Sequence, residues 1–335
     1  MGRASGISSP DDESLGPVDR ILVDALVENC RVSFTALAAK VGMSGSTVCR
    51  HISALEHRGI IRGYFAVIDP GALGEPTTAL FSIKPRSDTP ALRIAERLYA
   101  VPEITASYTL SGDRPHIAVG RFAGPDAAEV AARRLADDLC ARVNIDFVLE
   151  TRFGRMAWSP ASAVEPVERE ADRVMLDILM TDGRASLDAL AKQANLSKST
   201  VHKRLHVLRN RGVIRGFTTR VDAAALGRPV TAVFGIKSDT GAPVDPAAYE
   251  RLGDFPEIAT YYTLSGHRPS VAVGAYRDIT AARTAADRLG EQLHAAVSID
   301  FVLATDFDRH QSPRHGRGRR QWPHDATPSH LRTVR

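Results

Sequence analysis

Apolar residues recur at helical spacing near the start of the chain. Ile21, Leu22, Ala25 and Leu26 share one face of a helix that begins at about Pro17, with proline near its first turn. Phe34, Leu37, Ala38 and Val41 mark a second helix, entered through Ser33 as N-cap. Val48, Ile52 and Leu55, spaced four then three, mark a third that starts at Ser44. The connection between the last two is Gly42-Met43-Ser44. Beyond Arg58-Gly59 the period becomes strand-like. YFAVIDP is extended and TTALFSIK is a strand. ALRIAERLYA is helical, ITASYTLSG is a strand ending in a turn, and HIAVGRF is another strand. An alanine-rich helix from about Asp126 to Cys140 leads into a last strand, VNIDFVLETRF. The order β-α-β-β-α-β is ferredoxin-like, with helices on one sheet face and a partner expected on the other.

The pattern is then written a second time. Asp19 returns as Asp172 and Ser46-Thr47-Val48 as Ser199-Thr200-Val201, 153 residues on. VPEITASYTLSGDRPHIAVG returns as FPEIATYYTLSGHRPSVAVG and NIDFVLETRF as SIDFVLATDF, now 154 residues on. A period this long excludes a solenoid and makes each copy a domain pair. The predicted fold class is α+β: two copies of a helix-turn-helix (winged-helix-like) domain, each followed by a ferredoxin-like βαββαβ sensor domain. The boundaries predicted are a disordered leader at 1–16, helix-turn-helix units at 17–64 and 170–217, and sensor units at 65–153 and 218–308. A Pro- and Ala-rich linker covers 154–169, and a basic disordered tail covers 309–335.

The equivalent turns are Gly42-Met43-Ser44 and Asn195-Leu196-Ser197. Glycine and asparagine at one position predict a left-handed turn residue. The third helix opposes its apolar stripe with Ser44, Ser46, Thr47, Arg50 and His51. In the second copy this face is Ser197, Lys198, Ser199, Thr200, Lys203 and Arg204. Short hydroxyls at the helix start and basic groups one turn on suit a major-groove reader. The hydroxyls meet phosphates or base edges, Arg pairs bidentately with guanine, and Lys pairs with phosphate or guanine. A solvated basic face on a three-helix bundle is the competing reading, weakened by the duplication.

Composition narrows the function classes. The net charge of +4 decides nothing alone, but residues 309–335 hold seven Arg against one acid, Asp325. No run approaches the roughly 20 apolar residues of a membrane span, and the N-terminus has no secretory core, so a cytoplasmic protein is expected. Cys30, Cys49 and Cys140 are too few and too scattered for a disulfide framework or a zinc site, so no metal and no cofactor are predicted. Phosphate-loop, zinc-protease and dinucleotide-binding motifs are all missing, so the reading is non-enzymatic. His116 occurs in one copy only and is expected to be solvated, like the histidines of the tail.

In combination, a leading D-R-I-L or D-R-V-M-L, then R-G-[IV]-I-R-G, P-E-I and T-L-S-G make each half resemble the leucine-responsive regulator/AsnC (Lrp/AsnC) family over about 17–153 and 170–307. The resemblance implies a sequence-specific transcriptional regulator with double-stranded DNA as partner, tuned by a small-molecule effector and self-associating through its sensor sheets. The linker, able to extend to roughly 50 Å, lets both sensor sheets of one chain pack together as an intrachain pseudo-dimer, and pairing of sensor domains between chains is the competing arrangement. The candidate effector residues are Thr109, Ser111, Gly112, Asp113 and Arg114, with Thr263, Ser265, Gly266, His267 and Arg268. One departure bears on the ligand: the family's second acid after this glycine is Pro115 or Pro269 here. The loops keep arginine donors and lose an acceptor for an ammonium. The effector is thus an amino acid or an acidic metabolite, or Arg-Pro merely shapes a turn. The alternative activity is a tetrapyrrole (sirohaem-type) decarboxylase, a family that shares the two-domain plan.

Overall fold

The computed structural model describes residues 15–86, 89–113, 115–153, 156–158, 164–238, 255–266 and 270–308. The first copy opens with α1 (Pro17–Glu28), α2 (Phe34–Val41) and α3 (Gly45–His57). Ser33 Oγ caps α2 by accepting from the Ala36 amide, and Ser44 Oγ caps α3 by accepting from the Thr47 amide. Gly42 ends α2 at φ +68°, and Asn195 ends the equivalent helix at φ +52°. The left-handed turn expected from Gly/Asn is therefore present in both copies.

Next come β1 (Ile61–Ile68), a short 3-10 turn (Pro70–Leu73), β2 (Thr77–Pro85), α4 (Ala91–Tyr99), β3 (Ile104–Leu110), β4 (His116–Phe122), α5 (Pro125–Asp138) and β5 (Ala141–Phe153). A short β6 (Met156–Trp158) folds back on the end of β5. The second copy repeats the plan with α6 (Glu170–Thr181), α7 (Leu187–Ala194), α8 (Lys198–Asn210) and β7 (Ile214–Val221). It continues with β8 (Val230–Ser238), β9 (Ile258–Leu264), β10 (Ser270–Tyr276), α9 (Ile279–Leu293) and β11 (Ala295–Asp308). Residues 246–254, where the repeat predicts the counterpart of α4, and the basic tail lie outside the described residues.

The two copies are joined strand to strand. β1 pairs antiparallel with β7, so each strand leaves its own third helix and crosses to the other three-helix unit. Ala66, Ile68 and Ala72 of the first copy are buried in the core built by α6–α8, together with Cys30. Val221, Ala225 and Leu226 of the second copy pack on the core of α1–α3. Two ion pairs related by the repeat cross the ribbon, Arg62–Asp222 and Arg215–Asp69. In the second, Asp69 Oδ2 accepts from Arg215 Nε at 3.1 Å and Nη2 at 2.6 Å.

The α/β halves are joined in the same way. Each sheet has the ferredoxin-like order β5-β2-β4-β3 or β11-β8-β10-β9. The fourth strand is long and serves both. Residues 141–147 of β5 pair with β2, then residues 148–153 pair with β9. Residues 295–301 of β11 pair with β8, then 302–308 with β3. The eight strands close into a ring, which removes the open edges of either sheet. Between the sheets lie Leu80, Val148, Leu264 and Val271, with Ile117, Val233 and Tyr262 packed against them. The partner expected on the second sheet face is thus the other half of the same chain.

Two predicted boundaries shift. Leu15, placed in the leader, is buried against α1–α3. At the end of the predicted linker, Val167 is buried in the second unit's core and its amide donates to the Ala72 carbonyl at 2.9 Å. Val164 packs against the same core.

Candidate nucleic-acid interface

α3 and α8 each bury one stripe, Val48, Ile52 and Leu55 or Val201, Leu205 and Leu208. The opposite face is exposed, and the structure sorts the predicted residues on it into three groups. Ser44, Ser46 and Thr47 form one hydroxyl cluster, with Ser44 Oγ 2.9 Å from both neighbouring hydroxyls. Ser197, Ser199 and Thr200 repeat it at 2.9 and 2.8 Å. Each cluster sits at a helix N-terminus, where backbone amides and the helix dipole favour phosphate.

His51 and Arg204 occupy equivalent positions and turn inward. His51 Nδ1 lies 2.6 Å from Asp19 Oδ1 on α1. Arg204 forks onto Asp172 of α6, with Nε 2.8 Å from Oδ1 and Nη2 on Oδ2. That hydrogen bonding raises the Arg204 pKa above its ordinary value. Both side chains tie the third helix to the first of their own unit. Sequence reasoning missed the two acids. The signal was available, because Asp19 and Asp172 stand at matching places in the repeat.

Arg50 and Lys203 form the third group, exposed at equivalent positions on the outward face. Lys198 also faces out, 2.5 Å from Asp188 of α7. Arg62 and Arg215, one strand further on, are engaged in the cross-copy ion pairs. The second helix keeps more exposed cations, with Lys203, Arg209 and Arg211 against Arg50 and Arg58.

In the α/β halves, the T-L-S-G loops meet the opposite half. The Ser111 amide donates to the Phe301 carbonyl at 3.0 Å, and Ser111 Oγ accepts from the Phe301 amide at 2.9 Å. Ser265 makes the same pair with Phe147, both at 2.9 Å. A Cβ on Gly112 would overlap the Asp300 carboxylate, and one on Gly266 the Asp146 carboxylate, so any larger residue would push that carboxylate aside. Each loop therefore has a carboxylate beside it, delivered by the other half, which the missing second acid had hidden. Asp113 is exposed, while Arg114, His267 and Arg268 lie outside the described residues.

His116 corrects an expectation. It is 4% exposed, not solvated, because its alternation on β4 points it under α4 and α5 with Ala118 and Phe122. Its Nδ1 is 3.3 Å from Thr109 Oγ1, and Thr109 Oγ1 donates to Asp306 Oδ1 at 3.1 Å. Ser107 Oγ donates to Asp306 Oδ2 at 2.8 Å. Thr263 occupies the place of Thr109 in the second copy and is buried. Burial lowers the His116 pKa, only partly offset by the negative charge of Asp306. The unfolded chain then takes up a proton near pH 6.5 and the folded chain resists it. The contribution is intact above about pH 6.5 and is lost as pH falls below it. His116→Ser, the residue of the second copy, is expected to flatten this dependence. A pH series of urea midpoints on both proteins checks it; parallel curves would contradict it.

The AsnC-type helix-turn-helix domain matches at residues 17–56 and again at 170–209. The HTH-type transcriptional regulator LrpA of Mycobacterium tuberculosis is 30% identical over 142 residues, which is 42% of this chain and 95% of that protein. The chain belongs to the Lrp/AsnC family. An uncharacterised HTH-type transcriptional regulator of Pyrococcus horikoshii is 32% identical over 139 residues, covering 40% of this chain and 90% of its own length. Each of these Lrp/AsnC relatives is thus spanned almost whole by less than half of this chain. The crystal structure of the siroheme decarboxylase NirDL covers 87% of this chain and 92% of its own, with a TM-score of 0.61 at 16% identity. That likeness is one of fold and extends over both copies.

Proposed function

We propose that this Lrp/AsnC chain is a transcriptional regulator that grips one double-stranded DNA site with two recognition helices of its own. The observation that carries the reading is the β1–β7 ribbon, which fixes both three-helix units in one chain. α3 and α8 would enter successive major grooves, about 34 Å apart. The hydroxyl clusters take phosphate, while Arg50 and Lys203 face bases. An effector, an amino acid or an acidic metabolite, acts at the T-L-S-G loops, where strands from both halves meet. The site of action is the cytoplasm.

Footprinting on the region upstream of the protein's own gene tests the reading. Arg50→Ala and Lys203→Ala are each expected to cost about 1–3 kcal/mol of binding and to relax preference at one base position. A uniform loss across all sequences would make both residues phosphate contacts instead. A second reading, a tetrapyrrole decarboxylase, draws on the fold shared with NirDL. Purified protein that carries or takes up porphyrin, seen by its absorbance, would favour that reading over regulation.

A further inference from the structure

We infer that the chain reads an asymmetric DNA site in one direction only, with two different half-sites assigned to α3 and α8. The inference rests on the regulator reading and specifies its DNA partner. A homodimer presents the same helix twice, so turning it over changes nothing. Here the two helices are covalently distinct and their relation is fixed by the crossed ion pairs of the ribbon.

The structure separates divergence that affects readout from divergence that does not. His51 and Arg204 differ, but both are spent on Asp19 and Asp172. Ser46 and Thr47 equal Ser199 and Thr200. Along the N-terminal part of each helix, the exposed positions that differ are Cys49, Arg50 and Ser53 in α3, against His202, Lys203 and His206 in α8. At the helix start, Gly45 stands against Lys198, which is held by Asp188 where the first copy has Thr35. A Cβ on Gly45 would meet nothing within 4 Å, so close packing does not require glycine there.

These sets offer different chemistry to a groove. Arg50 presents a planar fork that fits guanine O6 and N7, flanked by small side chains that leave room. α8 presents a point charge, Lys203, between two imidazoles able to donate or accept. Arg50 and Lys203 can each take a guanine, so the two sets differ in bidentate fit and in the bases that their unlike flanks favour.

Selection from random duplex DNA with the full chain tests this. The expected consensus has two unlike halves, and either half written as a perfect inverted repeat should bind roughly tenfold more weakly. The chain carrying T35D, G45K, C49H, R50K and S53H should instead select an inverted repeat of the α8 half-site. The reciprocal chain, D188T, K198G, H202C, K203R and H206S, should select an inverted repeat of the α3 half-site. All ten positions are exposed or half-buried, outside the cores and the braces. A palindromic consensus for the unaltered chain would overturn the inference even if the variants fail to fold. So would variant chains that keep the original consensus. If no sequence is enriched, the regulator reading itself fails, which is a distinct result.

Discussion

Asp172→Ala is expected to cost about 3 kcal/mol of stability in the second DNA-reading unit. The Asp172 side chain is 2% exposed and its partner Arg204 18% exposed. Removing the carboxylate leaves a guanidinium largely out of water with no anion, which costs more than the pair contributes when intact. The equivalent change in the first unit, Asp19→Ala, should cost under about 1 kcal/mol. That pair is wetter, at 18% for Asp19 and 31% for His51. Hydrogen exchange resolves the difference within one molecule: protection should fall across α6–α8 in D172A and hardly change across α1–α3 in D19A. Because the brace holds α8 in place, D172A should also lose DNA affinity, although Asp172 touches no outward residue. Equal loss of protection in the two variants would show that the braces do not differ.

Gly183→Ala is the second large effect. Gly183 lies between α6 and α7 and its amide donates to the Tyr64 carbonyl at 2.8 Å. A Cβ there would stand 2.7 Å from both the amide nitrogen and the carbonyl carbon of Phe65, which are backbone atoms that no rotamer can move. The ribbon must shift, at a cost of about 1–3 kcal/mol. Arg31 would feel it as well, since its Nε and Nη2 donate to the Gly183 and Ala185 carbonyls at 2.7 and 2.9 Å. The first copy makes the matching contact from Cys30, whose amide donates to Phe217 at 3.2 Å. A side chain is accommodated there, fully buried, and burial pushes that thiol up to about 11. Cys30 is therefore expected to stay unreactive toward thiol reagents until the ribbon opens, while Cys49 and Cys140, both exposed, react at once. Gly183→Ala should speed labelling of Cys30; unchanged labelling and an unchanged urea midpoint would contradict the clash.

Much of this architecture was legible because local rules agree with one another. Helical spacing, serine caps and a Gly/Asn turn placed α1–α3 and α6–α8, and the strand order predicted two ferredoxin-like sheets. The repeat itself implied that the halves would meet. What could not be read was the exchange of strands. Nothing in NIDFVLETRF says that its first residues pair at home and its last with the other half. The side chains alternate in the same way in both parts, and only the register shifts at Val148/Glu150 and Val302/Ala304 mark the change. Partners distant in sequence were hidden for the same reason. Asp300 beside Gly112, Asp306 beside Thr109 and Asp69 beside Arg215 are contacts across 146 to 197 residues. His51 and Arg204 looked like base readers because one helix, read alone, does not reveal the acid facing it from another.

On the regulator reading, one chain holds a complete pair of reading heads. The most direct test is the mass of the complex on a duplex carrying one selected two-half-site operator, measured by sedimentation or native mass spectrometry at low protein concentration. One chain per duplex, with both half-sites protected in the same complex, is the predicted result. Two chains per duplex, each protecting a single half-site, would contradict it.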